Sequence, residues 1–404
     1  MQIIPCVVGL GYVGLPMVLK LANKFNTFGY DINKSRVIFL KKGIDANNEF
    51  SKSQFKTKKD ISFSSNINQV KNCNFFIVSV PTPINKKNNP DLNILIKSAK
   101  QLAKIIKKDD IIFLESTVYP GVTKNIFIKT IKKYSNLIPN KDFFYGYSPE
   151  RINPGDKKHN ISNISKIVSF NFSKKEAVKK TYLIYKSVSK NVVYTKNIED
   201  AETGKLIENI QRDVNIAFFN ELLIFCDKIN LNYKNVVKLA STKWNFLKFN
   251  PGLVGGHCLP INPYYLSSIA LKNKFNPKLI LTARKRNERM KNYVLEKIIK
   301  FFKKKEIFKK SKILIIGLTY KPGVTDCRNS IGLEILNNLN SINTNTYGYD
   351  PFLEKKFLKN SKILKNIKNT DSFDLIVFLN FHKIFKKIYK KSQKNKVLDI
   401  FYNY

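Results

Sequence analysis

The sequence is poor in the residues that build disulfide frameworks and metal sites. Its five cysteines include no CxxC pair and show no regular spacing, so a complete disulfide framework is not expected and a reducing cytoplasm fits best. The three histidines, His159, His257 and His382, lie far apart, and none has metal-ligand spacing from a cysteine. We therefore expect no metal site.

Long apolar runs are also missing. No stretch of about 18 apolar residues occurs, so no membrane-spanning segment is expected. The first residues, MQIIPCVVGLGYVG, are apolar but lack a basic leader and continue directly into a glycine motif. This pattern favours a strand over a secretion signal.

Acidic residues are scarce. The chain has 29 Asp and Glu against 72 Lys and Arg, a formal net charge of +43. One interpretation is a polyanion partner such as nucleic acid. The other is compositional drift, because the charge is spread along the whole chain, whereas a dedicated binder concentrates it in one arm or on one face. The even spread favours drift, so we expect no nucleic-acid partner, although anionic small ligands would be attracted in either case.

The 404 residues suffice for two or three domains. Residues 1–199 alternate short apolar strands with amphipathic helices, a pattern typical of a parallel, doubly wound sheet. The clearest strands are residues 3–8, 26–31, 74–80, 110–116 and 191–195.

From about Glu199 the pattern becomes helical, which predicts a central helical domain over residues 200–298. In its first helix apolar residues recur every three or four positions. They are Leu206, Ile210, Val214, Ala217, Phe218, Leu222 and Phe225. A Lys-rich linker around residues 300–311 should precede a second α/β domain, residues 311–404, with strands in KILIIGLTYK, TNTYGYD, DLIVFLN and KVLDI. The predicted fold is α/β, with two Rossmann-like doubly wound domains joined by the central helical domain.

A glycine motif follows the first predicted strand and opens a helix. It reads Gly9-Leu10-Gly11-Tyr12-Val13-Gly14. In that context GxGxxG indicates a dinucleotide site, because the glycines permit a tight turn and let a pyrophosphate approach the helix N-terminus. Asp31 ends the second strand, where an acid bonds the ribose 2′-hydroxyl and repels a 2′-phosphate, so NAD is expected rather than NADP. Arg36 is expected along the adenosine edge.

Two further loops leave predicted strand ends on the same rim, SVPTP (79–83) and ESTVYPG (115–121). Ligands of open α/β sheets bind beyond the carboxyl ends of strands. Thr82 and Thr117 are therefore expected to contact the cofactor, and Thr117 the substrate as well. The alternative is that each hydroxyl caps the following helix.

On the long helix, Lys205, Asn209 and Arg212 fall at i, i+4 and i+7 and share one face. A solvated face would explain each residue alone. Two cations around an amide, beside a dinucleotide domain, favour instead the binding of an anion or oxyanion.

Seven motifs resemble those of the UDP-glucose/GDP-mannose dehydrogenase family, and within it the branch that acts on UDP-N-acetylhexosamines. In chain order they are VVGLGYVGLP, VPTP, ESTVYPG, YSPERINPGDK, KLIENIQRD, STKWNFLKFNPGLVGGHC and GLTYK followed by DCRNS. No single motif is specific, but the combination covers almost the whole chain. The resemblance implies an NAD-dependent nucleotide-sugar 6-dehydrogenase that oxidises C6 of the sugar twice, from alcohol to carboxylate.

By the same resemblance, Cys258 in GGHCLPIN matches the family's nucleophile. It would trap the aldehyde as a thiohemiacetal, which loses a second hydride to give a thioester for water to hydrolyse. Lys205 and Asn209 match an oxyanion- and water-binding pair, and Lys205 would also stabilise the thiolate. Thr117 matches a threonine that helps to hold the water, and Glu150 matches an acid beside it.

The resemblance completes the expected site. Gly255 and Gly256 would let their loop close over the sugar, and Lys321 and Arg328 match residues where the third domain meets the nucleotides. The expected cofactor contacts are Gly9, Gly11, Tyr12, Val13, Gly14, Asp31, Arg36, Thr82, Thr117 and Arg328. The expected substrate contacts are Arg151, Lys205, Asn209, Arg212, Gly255, Gly256, His257 and Lys321.

Two positions depart from the relatives. Glucose-specific relatives carry a glutamate four residues after the position of Glu150, where this chain has Pro154, which argues against UDP-glucose. Four residues after the nucleophile the relatives carry an aspartate, where this chain has Asn262. Loss of that carboxylate predicts slow hydrolysis of the thioester, unless Glu150 replaces it as base or Asn262 still positions the water.

The resemblance also implies a homodimer through the central helical domain, a UDP-N-acetylhexosamine substrate whose UDP binds the third domain, and a role in surface-polysaccharide synthesis. The alternatives are a dehydrogenase of UDP-glucose or UDP-N-acetylmannosamine, a catalytically impaired homologue, a two-electron NAD dehydrogenase and a catalytically silent polyanion binder.

Overall fold

The computed structural model describes residues 2–47, 49–152, 161–321, 323–325, 327, 329–354, 357–367, 369–380 and 382–402. The chain forms two compact units, unit 1 (Met1–Glu208 and Tyr264–Lys274) and unit 2 (Asn209–Pro263 and Phe275–Tyr404). Pro154 and Arg328, the latter expected at the cofactor, lie outside the described residues. The three domain boundaries expected from the sequence remain predictions.

Unit 1 is built on a sheet of short, mostly apolar strands. Those among the described residues are β1 (Pro5–Val8), β2 (Thr27–Tyr30), β3 (Ile61–Ser64), β4 (Phe75–Val78), β5 (Ile111–Leu114), β6 (Phe144–Tyr147), β7 (Lys166–Phe170) and β8 (Val192–Thr195). They lie in the order β3-β2-β1-β4-β5-β6-β7-β8, parallel except for the antiparallel pair β6 and β7. The chain reverses its direction of travel across the sheet between β1 and β4, which is where open α/β sheets bind ligands.

Unit 2 contains a second sheet, with neighbouring strands parallel. Its described strands are β9 (Ile313–Ile316), β10 (Thr346–Tyr349), β11 (Leu375–Phe378) and β12 (Val397–Asp399), in the order β10-β9-β11-β12. The fully buried residues of β9 and β11 fit central strands covered on both faces. The α/β class with two Rossmann-like sheets is thus confirmed.

Helices alternate with the strands in both units. Those described are α1 (Gly14–Leu21), α2 (Lys34–Lys41), α3 (Asn93–Leu102), α4 (Lys129–Ser135), α5 (Lys175–Val188), α6 (Ile198–Lys228), α7 (Tyr233–Ala240), α8 (Asn262–Lys272), α9 (Lys278–Phe301), α10 (Lys305–Lys310), α11 (Ile331–Asn340) and α12 (Phe385–Lys391). None of the described helices has the length and apolarity needed to cross a membrane.

The sequence predicts β1, β2, β4, β5, β8 and all four strands of the second sheet, and the structure confirms them. It misses β3, β6 and β7. The reason is composition: β3 reads ISFS, half of it serine, β6 reads FYGY with a glycine in its interior, and β7 begins with a lysine.

Two expectations for the helical region need correction. On α6, Leu206 and Ile210 are buried as predicted, but Phe218 and Phe225 are 55% and 53% exposed, and Phe219 is buried instead. Apolar residues surround this part of α6 almost completely, so their spacing does not single out one face. The Lys-rich stretch expected to be a linker contains α10, whose apolar side is anchored by a buried phenylalanine.

Candidate active site

The glycine motif lies where β1 ends and α1 begins. Gly9 has a φ of +92°, the left-handed region that favours glycine. A Cβ on Gly14 would lie 1.8 Å from Gly9 O, whereas one on Gly11 would meet no described atom within 4 Å. The turn is therefore closed on one side and open at Gly11, which fits a pyrophosphate at the N-terminus of α1.

Asp31 and Arg36 both hold the peptide groups of this turn. Asp31 Oδ2 accepts the N–H of Leu10 at 2.8 Å, and Oδ1 accepts that of Asn33 at 2.8 Å. Arg36 Nε donates to Leu10 O at 3.0 Å, and its NH1 lies 2.7 Å from the carboxylate of buried Asp45. The acid and the guanidinium thus bind the N–H and the C=O of one residue, Leu10, at the position expected for the adenosine ribose.

The loops after β4 and β5 are bonded to each other. Thr82 Oγ1 donates to Thr117 O at 2.7 Å, and Ser116 Oγ donates to Val80 O at 2.7 Å. Tyr265 OH in turn donates to Thr82 O at 2.9 Å. The Thr82 hydroxyl therefore joins two loops rather than capping the next helix, and it fixes the position of Thr117.

A lysine lies between two carboxylates inside unit 1. Lys166 Nζ is 2.8 Å from Glu115 Oε2 and 3.2 Å from Glu150 Oε2, and all three side chains are buried. Tyr185 OH donates to Glu115 Oε1 at 3.2 Å. Burial raises the pKa of the Glu115 carboxyl, and the Lys166 ammonium opposes that rise.

Glu150 is fixed by three donors. Besides Lys166, its Oε1 accepts the N–H of Arg151 at 2.6 Å and that of Ile152 at 2.5 Å. The Arg151 side chain donates to Ser165 O at 3.2 Å and forms an ion pair with a glutamate of α6. The expected site acid is therefore present but buried, and its orientation is set by the fold.

Helix α6 is tied to the loop of Thr117 by a further carboxylate. Glu202, fully buried and one turn before Lys205, accepts the N–H of Gly121 at 2.6 Å and that of Thr123 at 2.9 Å. Burial raises its pKa to about 7, and the bonds from the loop oppose the rise. Within unit 1, this interaction fixes the turn of α6 that carries Lys205 against the loop that carries Thr117.

In unit 2, Cys258 lies in a loop whose backbone is closely packed. It is exposed, while the other four cysteines are buried. A Cβ on Gly255 would lie 2.7 Å from Asn329 O, Gly256 has a φ of +84°, and Asn329 Nδ2 donates to Gly256 O at 3.1 Å. After the cysteine, the N–H of Asn262 donates to Cys258 O at 3.0 Å as α8 begins.

Asn262 and Asn209, both expected at the site, are in contact. Asn262 is 2% exposed, and its Oδ1 accepts a hydrogen bond from Asn209 Nδ2 at 2.5 Å. Arg212 is exposed on α6. The other expected residues divide between the units: Thr117, Glu150, Arg151 and Lys205 belong to unit 1, and Gly255, Gly256, His257, Cys258 and Lys321 belong to unit 2. Among the described residues no cluster of His, Cys, Asp or Glu could hold a metal ion.

Sequence reasoning missed the roles of Glu115, Lys166 and Glu202. A lysine in a chain this rich in lysine carries no signal, and Glu202 lies in an ordinary helical turn. Glu115 had the one usable signal, since it is an acid directly after a buried strand, within a quoted motif.

Three sequence models of one family match consecutive parts of the chain. The family is the UDP-glucose/GDP-mannose dehydrogenase family, whose NAD-binding domain matches residues 1–189, whose central domain matches residues 199–289, and whose UDP-binding domain matches residues 314–403.

Named relatives extend over nearly the whole chain. It is 41% identical over 349 residues to the UDP-N-acetyl-D-glucosamine 6-dehydrogenase of Pseudomonas aeruginosa, covering 86% of this chain and 82% of that protein. It is 38% identical over 386 residues to the Salmonella typhi protein of the same name, covering 95% and 90%. The solved structure of a UDP-D-ManNAc dehydrogenase from Pyrococcus horikoshii matches with a TM-score of 0.85 at 28% identity, covering 98% and 93%.

The raised pKa of Glu202 predicts a pH-dependent stability. Its carboxyl has a pKa of about 7 in the folded protein against an ordinary value of 4.5, so between these values the folded state binds more protons than the unfolded state. The free energy of unfolding of unit 1 should therefore fall as pH rises from 4.5 to 7, by up to about 3 kcal/mol from this group. Urea unfolding across this range should show a smaller fall in Glu202→Gln than in wild type.

Glu176→Gln, at an exposed position of α5, is the control and should keep the wild-type dependence. If the free energy of unfolding of Glu202→Gln fell with pH as much as that of the wild type, Glu202 would not be the source of the pH dependence.

Proposed function

Because this chain belongs to the UDP-glucose/GDP-mannose dehydrogenase family and is an NAD-dependent nucleotide-sugar 6-dehydrogenase, we propose that its substrate is a UDP-N-acetylhexosamine of gluco or galacto configuration. The product would be the uronate, made for a surface polysaccharide. Identities of 38% and 41% to two UDP-N-acetyl-D-glucosamine 6-dehydrogenases, against 33% over 396 residues to a UDP-N-acetyl-D-mannosamine dehydrogenase of Methanococcus maripaludis, support this choice over the manno sugar.

The exposed thiol of Cys258 carries the proposal of a four-electron oxidation. Four of the five cysteines are buried and inert, whereas Cys258 is accessible behind two glycines whose Cβ positions are blocked by neighbouring atoms. A two-electron dehydrogenase has no use for such a nucleophile. An enzyme that continues from aldehyde to acid does, because a covalent adduct makes the second hydride available.

The reaction converts the C6 alcohol, two NAD⁺ and one water into a carboxylate, two NADH and three protons. Bound at the turn of Gly9, Gly11 and Gly14, NAD would supply the hydride acceptor for each oxidation. Between the two, the Cys258 thiolate would form a C–S bond to the aldehyde carbon. The thiohemiacetal then loses a hydride and its hydroxyl proton to give a thioester, and attack of water breaks the C–S bond and returns the thiol.

The other roles are proposed from the resemblance to the family, together with the contacts observed within each unit. Lys205 would stabilise the oxyanions of both adducts. Asn209, held by Asn262 at 2.5 Å, would orient the water, together with Thr117. Glu150 is bonded to three donors, so we assign it to fixing the site rather than to proton transfer.

We further propose that the protein is a cytoplasmic homodimer formed through the helical region. Phe218 and Phe225 lie seven residues apart on α6 and are more than half exposed. Leu239, Trp244 and Leu247 follow in the same region and are more exposed still. An apolar surface of this kind favours a protein partner, and a second copy accounts for it with no further component.

The function is tested by supplying UDP-GlcNAc, UDP-GalNAc, UDP-ManNAc and UDP-glucose with NAD, and by counting NADH against product mass. One of the first two sugars should yield two NADH and the uronate. Cys258→Ala should make no uronate while still binding NAD and the UDP-sugar, because the thiol is needed only after the first hydride leaves. Two NADH per sugar at the wild-type rate in the alanine variant would show that Cys258 is structural.

Asn262 should slow the release of the product. Asparagine cannot act as the base that an aspartate supplies, an effect often worth about 10²–10⁴-fold. We expect rapid quenching of the wild type to trap a Cys258 adduct by intact-protein mass, and Asn262→Asp to raise turnover and reduce the adduct. The absence of an adduct in the wild type, with no gain from aspartate, would mean that the neutral side chain positions the water well enough.

Phe225→Glu should disrupt the dimer, because a carboxylate would have to be buried without a partner at the interface. Sedimentation velocity should show a dimer for the wild type and monomers for the variant. Ile384→Glu, at another exposed apolar position of unit 2, should remain dimeric. A monomeric wild type would refute the proposal directly.

A further inference from the structure

Helix α6 holds the loop of Cys258 through a second amide side chain, that of Asn220. Its Oδ1 accepts the N–H of Gly252 at 2.8 Å, and its Nδ2 donates to Gly252 O at 3.0 Å. One fully buried side chain thus satisfies both peptide groups of a residue six positions before the cysteine. All three residues belong to unit 2.

Asn209 holds the other end of the same loop, through Asn262, four residues after Cys258. Asn209 and Asn220 are 11 residues apart on α6. At 100° and 1.5 Å per residue, this spacing places them about 20° apart around the helix and about 16 Å apart along it. One face of α6 therefore fixes the loop on both sides of the thiol.

Buried polar residues behind Asn220 fix the direction of its amide. Its Nδ2 also donates to Asn287 Oδ1 at 2.8 Å, Asn287 Nδ2 donates to Asp213 Oδ1 at 2.7 Å, and Arg284 NH1 lies 2.6 Å from the same oxygen. Because Asn287 presents an oxygen to Asn220, the Asn220 amide cannot turn over without losing that bond. Its oxygen is thereby left facing the N–H of Gly252.

We propose that Asn220 is a positioning residue for the Cys258 thiol, which sets the loop 252–258 on α6 so that the sulfur reaches C6 of the sugar. This inference rests on the proposed function, in which Cys258 is the nucleophile. Since those expected NAD contacts that the structure describes belong to unit 1, the loss of Asn220 should change the chemistry of the thiol and not the affinity for NAD.

The test compares Asn220→Ala with Asn343→Ala. Asn343 is a matched control in unit 2: it is 1% exposed, and its Nδ2 donates to Phe308 O at 2.6 Å and to Ser311 O at 2.8 Å. Both variants should show a similar fall in Tm. Only Asn220→Ala should lower kcat, by about 10- to 100-fold, with KM for NAD nearly unchanged.

A second measurement tests the reactivity of the Cys258 thiol directly. Because the other four cysteines are buried, iodoacetamide should label Cys258 selectively in the folded protein. Asn220→Ala should change this labelling rate by about threefold or more, while Asn343→Ala should not change it. Equal labelling rates and equal kcat in the two variants would show that Asn220 only stabilises the fold.

Asn220→Asp keeps the test decisive if the alanine variant does not fold. A protonated carboxyl can both donate to Gly252 O and accept its N–H, whereas an ionised one can only accept. Burial, and the Asp213 carboxylate on the far side of Asn287, should raise the pKa of the new carboxyl, although Arg284 opposes this. The labelling rate relative to wild type should therefore approach one at low pH and depart from it as pH rises; a ratio independent of pH overturns the proposal.

The two proposals fail separately. If Cys258→Ala still yields two NADH per sugar, the thioester mechanism is wrong, while the labelling rates still decide whether Asn220 positions the thiol.

Discussion

Loops that carry reactive groups depend on buried side chains to accept their backbone N–H groups. A buried N–H without an acceptor costs about 1–3 kcal/mol, so each such loop is stable only where an acceptor reaches it. In unit 1 the acceptor is Glu202, which binds Gly121 and Thr123. In unit 2 it is Asn220, which binds Gly252. Both side chains come from α6, which contributes Glu202 to unit 1 and Asn220 to unit 2.

The parts of the site that could be predicted from the sequence are those whose residues lie close together along the chain. The turn at Gly9 and Gly14 follows a strand and opens a helix, and Asp31 directly follows the next strand, so position along the chain alone implies position in space. Cys258 has no such pattern around it. Its proposed role rests on the resemblance to a family, while the structure adds that its thiol is exposed and its loop is held on both sides.

What the sequence could not predict depends on partners far along the chain. Lys166 and Glu115 are 51 residues apart, and Asn220 and Gly252 are 32 apart, so no local spacing connects them. The exposure of Phe218 could not be predicted from local spacing either. Consecutive phenylalanines on a helix offer two candidate core residues, and only packing against the rest of unit 2 decides that Phe219 is buried.

The surface and the interior of the protein differ in their charge. Among the residues that the structure describes, the buried acids are Asp45, Asp110, Glu115, Glu150, Glu202, Asp213 and Asp350, and the buried bases are Lys166, Lys180 and Arg284. The net charge of +43 therefore belongs to the surface, where substitution by lysine or asparagine changes stability little. Asn262 is not a change of that kind, because it is 2% exposed and bonded to Asn209. An amide there keeps the bond that an aspartate would accept and removes one negative charge, so its effect should appear in the chemistry of the site rather than in the fold.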